Sequence, residues 1–329
     1  MTHATDREAI PEPQNPLGVD GIEFIEFATS RPQALGGVLE TFGFRPIARH
    51  RSREVELYRQ GTMNIIVNAQ PADVPRTVMP SERPVISAFA VRVRDAQYAY
   101  RRAIELGAWE IPVRAQAMEI NVPAIHGVGE SLIYFVDRYD EFSIYDVDFR
   151  AIPTVDPHPP AVAGMHFFGI VQYVGPDRTA DWTEFYSQLM GFTPLPRQVR
   201  FGIMPSGLLL ESPCRTFFLQ LIEPDESARF AAMDEHLQRV GLGTPDVTAA
   251  VASLEKRGVE FLATDRVHSS ERGALTKPLL GGMIADRYLG YQRSIIVGGL
   301  LMALGLGLLL LPEMKWFLIG LAVIVAGNG

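Results

Sequence analysis

Cys214 is the only cysteine in 329 residues. A single thiol excludes an internal disulfide and fits a reducing compartment. The first sixteen residues, MTHATDREAIPEPQNP, contain no apolar run. No export signal is read there, and residues 1–16 are expected to be a disordered lead-in. Positive charge is not in excess, since 30 Lys and Arg against 38 Asp and Glu give a net charge of −8. Without a basic stripe, no nucleic-acid partner is expected. Familiar catalytic motifs are also missing. Gly36-Gly37 lies inside a helical stretch with no phosphate-loop pattern, and Ser206 in MPSGLL lacks the strand-turn-helix setting of a nucleophile elbow. Finally, charge runs out at the far end, where residues 294–329 carry only Glu313 and Lys315.

What is present is a repeating order of short elements. GIEFIEFA at 21–28 has strand composition. Leu35, Val38, Leu39 and Phe42 recur at helical spacing, and Gly43 stops that helix. Strands follow at 44–48, 55–58 and 63–67. The unit is therefore βαβββ. It starts again at 89–93, with a helix from Asp95 to Gly107 and strands at 120–125 and 132–136. A third start lies at 167–174, with a helix around Trp182–Met190 that ends at Gly191. A fourth lies at 240–243, with a helix from Asp246 to Gly258, a strand at 259–263 and a loop at 265–274. The helix closes as Gly-Phe in units one and three, and it runs from Asp to Gly over twelve residues in units two and four. That alternation indicates duplicated pairs of modules. The four prolines of PTVDPHPP at 153–160 make a stiff connector between the pairs. The expected organisation is a lead-in at 1–16, a first module pair at 17–152, a linker at 153–162, a second pair at 163–274 whose last module is incomplete, and a hydrophobic end at 275–329. Glu23 and Glu26 have odd strand spacing, so they are expected on opposite faces with structural roles.

Several stretches carry a resemblance: GIEFIEFA at 21–28, ARHRSREVELYRQG at 48–61, INVPAIHGVG at 120–129, SIYDVDF at 143–149, DWTEFY at 181–186 and QRVGLGTPDV at 238–247. Over about residues 15–274 the chain resembles 4-hydroxyphenylpyruvate dioxygenases, of the vicinal oxygen chelate superfamily. The resemblance implies an α+β fold of tandem βαβββ modules with the site in the second pair. It further implies Fe(II), held by two His and one Glu as a facial triad, and an aryl 2-oxo acid substrate in tyrosine breakdown. Matched residue by residue, the two His positions fall at Ile170 (or Gly169, one gap earlier) and at Arg239. None of these residues has a side-chain ligand atom. The third ligand would lie beyond about residue 274. His166 and His236 are the nearby candidates for shifted ligands. His166 is four residues before Ile170, on the same face of an ideal strand and about 13 Å along it. His236 is three before Arg239, on the opposite face. The substrate-contacting positions of module three fall at Gln220 and Ile222. The resemblance thus implies an oxygenase that is impaired or inactive as written, with a catalytically silent binding or scaffold protein as the alternative.

The end of the chain resembles a different family. GGMIADRYLGYQR at 281–293, with the apolar stretches around it, is similar to proton-coupled oligopeptide transporters of the major facilitator superfamily. The resemblance covers about residues 275–329 and implies one or two transmembrane-like helices. Ser294–Leu311 holds eighteen uncharged residues, near the lower limit for a membrane span. Arg287 and Arg293 precede it and would stay in the cytoplasm. The expectations are therefore a chimeric chain with a cytoplasmic body attached to the inner membrane through 294–311, a transporter fragment as a third functional reading, and homo-oligomer formation as an open possibility.

Overall fold

The computed structural model describes residues 14–69, 83–111, 120–140, 142–196, 207–223, 234–261, 267–270 and 273–276. Module one is β1 (Val19–Ala28), α1 (Pro32–Thr41), β2 (Arg45–His50), β3 (Val55–Gln60) and β4 (Met63–Asn68). After α1 the chain turns at Gly43, whose φ of 98° suits glycine. The last strand then returns beside the first, β4 lying parallel to β1 from Phe24↔Asn64 to Ala28↔Asn68. Module two is β5 (Val85–Val93), α2 (Ala96–Glu105), β6 (Ala124–His126) and β7 (Leu132–Val136), with β7 parallel to β5. It is followed by α3 (Ile144–Asp148) and β8 (Phe149–Ala151), which pairs with β2.

Module three is β9 (His166–Tyr173), α4 (Thr179–Met190), β10 (Thr193–Pro194), β11 (Leu208–Glu211) and β12 (Phe218–Ile222), with β12 parallel to β9. Module four is β13 (His236–Gly243), α5 (Val247–Lys256) and a hairpin of β14 (Val267–Ser270) and β15 (Gly273–Thr276). The hairpin replaces the loop expected at 265–274. Among the described residues, β13 is the one first strand without a parallel last strand from its own module.

Local signals decide the helix ends. Asp95 and Asp246 each cap a helix by accepting a hydrogen bond from a backbone N–H, of Tyr98 at 2.8 Å and of Ala249 at 2.9 Å. Gly191 ends α4 in the left-handed conformation, with φ 78°. One apolar core lies under α1, α2, α4 and α5 and includes Leu35, Ala99, Tyr186 and Leu254. A second, smaller core fills the opposite face of the first half. There Phe24, Leu57, Ile66, Ala90 and Val136 are covered by Ile144 and Tyr145 of α3. The motif SIYDVDF is thus a lid on the first half.

The halves share an internal symmetry. The first strands pair antiparallel in each, β1 with β5 and β9 with β13. The two pairs share two β-bulges at equivalent places, and β1–β5 has a third irregularity between Val19 and Ile22. Glu23 is the extra residue between the pairs Ile22↔Val91 and Phe24↔Ala90, as Phe168 is between Phe167↔Leu242 and Gly169↔Gly241. Likewise Ser87 is extra between Ala88↔Glu26 and Ile86↔Phe27, as Gln238 is between Arg239↔Val171 and Leu237↔Gln172. In the sheet the two halves are joined by one ladder pair of equivalent residues, Leu237↔Ile86.

Tyr186 lies beneath this sheet, fully buried, and its O–H donates to Gln172 Oε1 at 3.0 Å. The Gln172 amide nitrogen is buried with no partner among the described residues. Tyr186→Phe should therefore destabilise by about 1–2 kcal/mol, because it strands the Gln172 carbonyl as well. Adding Gln172→Leu should restore most of the loss. Urea unfolding midpoints of the single and double variants check this, and an equal loss in both would overturn it.

Among the described residues no helix is long and apolar enough to cross a membrane. Of the lead-in expected at 1–16, residues 1–13 lie outside the described residues, as do the proposed span at 294–311 and the motif at 281–293, whereas Asn15 is placed and its side chain bonds to the backbone of Val19.

Candidate functional site

The open face of the second half is the face of β9, β12 and β13 turned away from α4 and α5. Gln172 bonds to α4, and Ile170, Leu219, Leu237 and Leu254 belong to the helix-side core. Strand alternation, reset by the bulges, assigns the remaining side chains. The open face receives His166, Phe168, Gly169, Val171 and Tyr173 from β9, Phe218, Gln220 and Ile222 from β12, and His236, Gln238, Arg239, Gly241 and Gly243 from β13.

This corrects several expectations. Ile170 is 1% exposed and packs in the helix-side core, so it does not face the site at all. Of the two positions matched to the first ligand, only Gly169 is on the open face. His166 does not share a face with Ile170, because the Phe168 bulge inverts the alternation between them. His236 does not oppose Arg239, because the Gln238 bulge brings both to one face. His236 is also a strand residue, the first of β13. Glu23 and Glu26 are not on opposite faces either. The Glu23 bulge turns both toward the open face of the first half, where Glu23 meets Tyr145 of α3 and Glu26 meets Ser87.

His166 pairs with Gly243 and His236 with Tyr173, at opposite ends of the β9–β13 ladder. Seven residues at roughly 3.3 Å each separate them by about 23 Å. Two imidazoles sharing one ion must bring their nitrogens within about 4 Å of each other. His236 is occupied besides. Its Nδ1 lies 2.7 Å from the Asp234 carbonyl, its Nε2 meets the Gln238 side chain, and its ring stacks on Tyr173 at 5.4 Å. Among the described residues no three His, Cys, Asp or Glu side chains form a group able to hold a metal. The donor set thus does not fit the Fe(II) that the resemblance implies.

What this face offers instead is a pair of glycines with a cation beside them. Gly169 and Gly241 pair directly, and the equivalent pair in the first half is Phe24 with Ala90. The Phe168 and Phe218 rings pack at 5.2 Å on one side of that floor. Arg239 stands one step along β13, and Gln220, Val171 and Arg239 form a continuous row across the three strands. Among the described residues a shallow concavity lies elsewhere, on the outer side of α4 between Thr183, Ser187 and Glu223, and it brings together no such set.

The equivalent face of the first half is filled and internally satisfied. Glu23 is 1% exposed, and its carboxylate accepts from Arg92 Nε at 2.6 Å, Tyr145 O–H at 2.9 Å and Asn64 at 3.0 Å. Arg59 donates to Asn64 at 2.7 Å and lies over the Tyr145 ring. Burial pushes the Glu23 carboxyl above its ordinary value, against the pull of Arg92, Tyr145 and Arg59. The Tyr145 hydroxyl is pushed up by burial and by Glu23. This network joins residues 122 positions apart, and single-strand spacing gives no sign of it.

A family model described as "Hydroxyphenylpyruvate dioxygenase, HPPD, N-terminal" matches residues 13–150. The chain is 40% identical over 189 residues to the 4-hydroxyphenylpyruvate dioxygenase of Pseudomonas sp. strain P.J. 874, covering 57% of this chain and 52% of that one. It is 30% identical over 268 residues to the 4-hydroxyphenylpyruvate dioxygenase of Pseudomonas aeruginosa, covering 77% of this chain and 74% of the relative. The chain belongs to the 4-hydroxyphenylpyruvate dioxygenase family. Vibrio vulnificus hemolysin VllY, at 32% identity over 281 residues and 78% of its length, is a further relative. Among solved structures, a xylose isomerase-like TIM barrel/4-hydroxyphenylpyruvate dioxygenase fusion protein superposes with a TM-score of 0.62 and 25% identity, over 80% of this chain and 42% of that one. A triple mutant of 4-hydroxymandelate synthase from Streptomyces coelicolor shares the fold, with a TM-score of 0.63 and 19% identity over 80% and 90% of the chains. The chain thus spans about half of the first Pseudomonas relative and less than half of the fusion protein. Membership in the dioxygenase family supports the vicinal oxygen chelate reading of the body, and these relatives lend the transporter reading of 275–329 no support.

The glycine floor was missed in the sequence because glycines carry no patterning signal. Comparing the two halves position by position would have found it, since Phe24 and Ala90 are the equivalents of Gly169 and Gly241.

Proposed function

We propose that this member of the 4-hydroxyphenylpyruvate dioxygenase family binds an aryl 2-oxo acid on the open face of its second half without iron-dependent oxygenation. The dioxygenase relatives support the ligand class, since the name they carry specifies an aryl 2-oxo acid. What supports the rest is the β9–β13 register, which sets Gly169, one of the two positions matched to the first histidine ligand, and Arg239, matched to the second, on one face. A cationic guanidinium repels a divalent ion and donates no lone pair to it.

The test is iron content together with oxygen uptake. Purified full-length chain, incubated anaerobically with Fe(II) and desalted, should retain well below one iron per chain. It should consume no oxygen when 4-hydroxyphenylpyruvate is added. Stoichiometric iron with oxygen consumption would overturn the proposal and restore the oxygenase reading. Loss of both in His166→Ala or His236→Ala would then identify the ligands.

A further inference from the structure

We infer that Arg239 is a metal-independent carboxylate anchor, taking over at this face the cationic role that the family gives to a metal. The inference rests on the functional reading above and specifies how the ligand would be held. Three observations converge on it. The guanidinium lies on the open face, opposite Val171, and bonds to no acidic partner among the described residues. It is half-buried, so its charge is only partly screened by water. Beside it the paired Gly169 and Gly241 contribute no side chains at the two positions where the first half places Phe24 and Ala90. The Phe168 and Phe218 rings, 5.2 Å apart, border that surface.

A flat aromatic ring can lie on a glycine floor and meet the edges or faces of phenylalanines. A carboxylate at the end of a short chain then reaches a guanidinium, whose planar fork suits two parallel N–H···O bonds. The ligand class this fits is an aryl carboxylate of the arylpyruvate or arylacetate type. The first half cannot take the same ligand, because its own arginine, Arg92, is already bonded to Glu23 and its floor is filled.

The probe is phenylpyruvate, titrated calorimetrically into the full chain in excess chelator. Saturable binding is expected without any metal. Arg239→Met should weaken it about tenfold to a hundredfold, the range for a charge-assisted bond, and Arg239→Lys should recover part of the loss. Phenylethanol, which keeps the ring and lacks the carboxylate, should bind wild type and Arg239→Met alike. Gly241→Val tests the floor separately and should weaken both probes. Phenylpyruvate binding that survives Arg239→Met unchanged overturns the anchor and leaves the ligand class standing. Binding that appears only after Fe(II) is added overturns both, and so does no binding under either condition.

Discussion

Gly129→Ala should lower the thermal midpoint by about 10 °C, corresponding to a loss of roughly 3–4 kcal/mol. Gly129 lies in the tight turn between β6 and β7, in the left-handed region with φ 61°. A methyl group there would sit 1.7 Å from the Glu235 carbonyl oxygen and 3.0 Å from the His236 Cα. These are backbone atoms at the start of β13, so no side-chain rotation relieves the overlap. Glu235 is itself held, since its carboxylate accepts from the Gly175 N–H at 2.9 Å and from Trp182 Nε1 at 3.0 Å. The joint beside it is the single Leu237↔Ile86 pair. The methyl group must therefore push the halves apart. Gly107→Ala provides the comparison. It has φ 94° but nothing within 4 Å of the added carbon, so it should lose only about 1 kcal/mol. Equal losses in the two variants would show that crowding at the joint contributes nothing.

Arg92→Met should destabilise by about 3 kcal/mol at pH 7, the cost of leaving a buried carboxylate without its cation. Arg92 is a quarter exposed and Glu23 is almost fully buried, at 24% and 2% side-chain exposure. The unpaired charge would thus be left on the buried side. The loss should shrink as pH falls. The folded-state Glu23 pKa is already above its ordinary value of 4.5, and Arg92 is the largest influence pulling it down. Without Arg92 it rises further, so the folded state takes up a proton more readily than the unfolded chain. Stability from that proton is complete below about pH 4.5 and is lost as pH rises through the raised folded value. Urea midpoints of Arg92→Met and wild type should therefore converge as pH falls from 7 toward the ordinary carboxyl value of 4.5. A gap that stays constant would mean that Glu23 is not the group left stranded.

The elements that could be read from the sequence are those fixed by local chemistry. Asp95 and Asp246 cap their helices through side chains three residues from the N–H they satisfy, and Gly43, Gly107 and Gly191 end helices by their own backbone freedom. Side-chain direction along the first strands was not readable. Glu23, Ser87, Phe168 and Gln238 are extra residues only relative to a partner strand, and nothing in their own neighbourhood marks them. Each inverts the alternation beyond it. That is why Glu23 and Glu26 share a face, why His166 leaves the face of Ile170, and why His236 joins that of Arg239. The lid helix α3 escaped for a related reason. Its five residues are too few for periodicity, and Tyr145 is held by Glu23 from the far side of the first half.

The coincidence of the bulges also orders events in the ancestry of the chain. Two single-residue insertions at the same two places in both halves are far more simply inherited than acquired twice. We read them as inherited from a half-length ancestor that was copied. The contents of the two faces are a later matter. Phe24 stands against Gly169, Ala90 against Gly241, and Ala88 against Arg239, at sites whose backbones still correspond. One half carries a filled support and the other two paired glycines, on ladders whose two shared bulges still correspond.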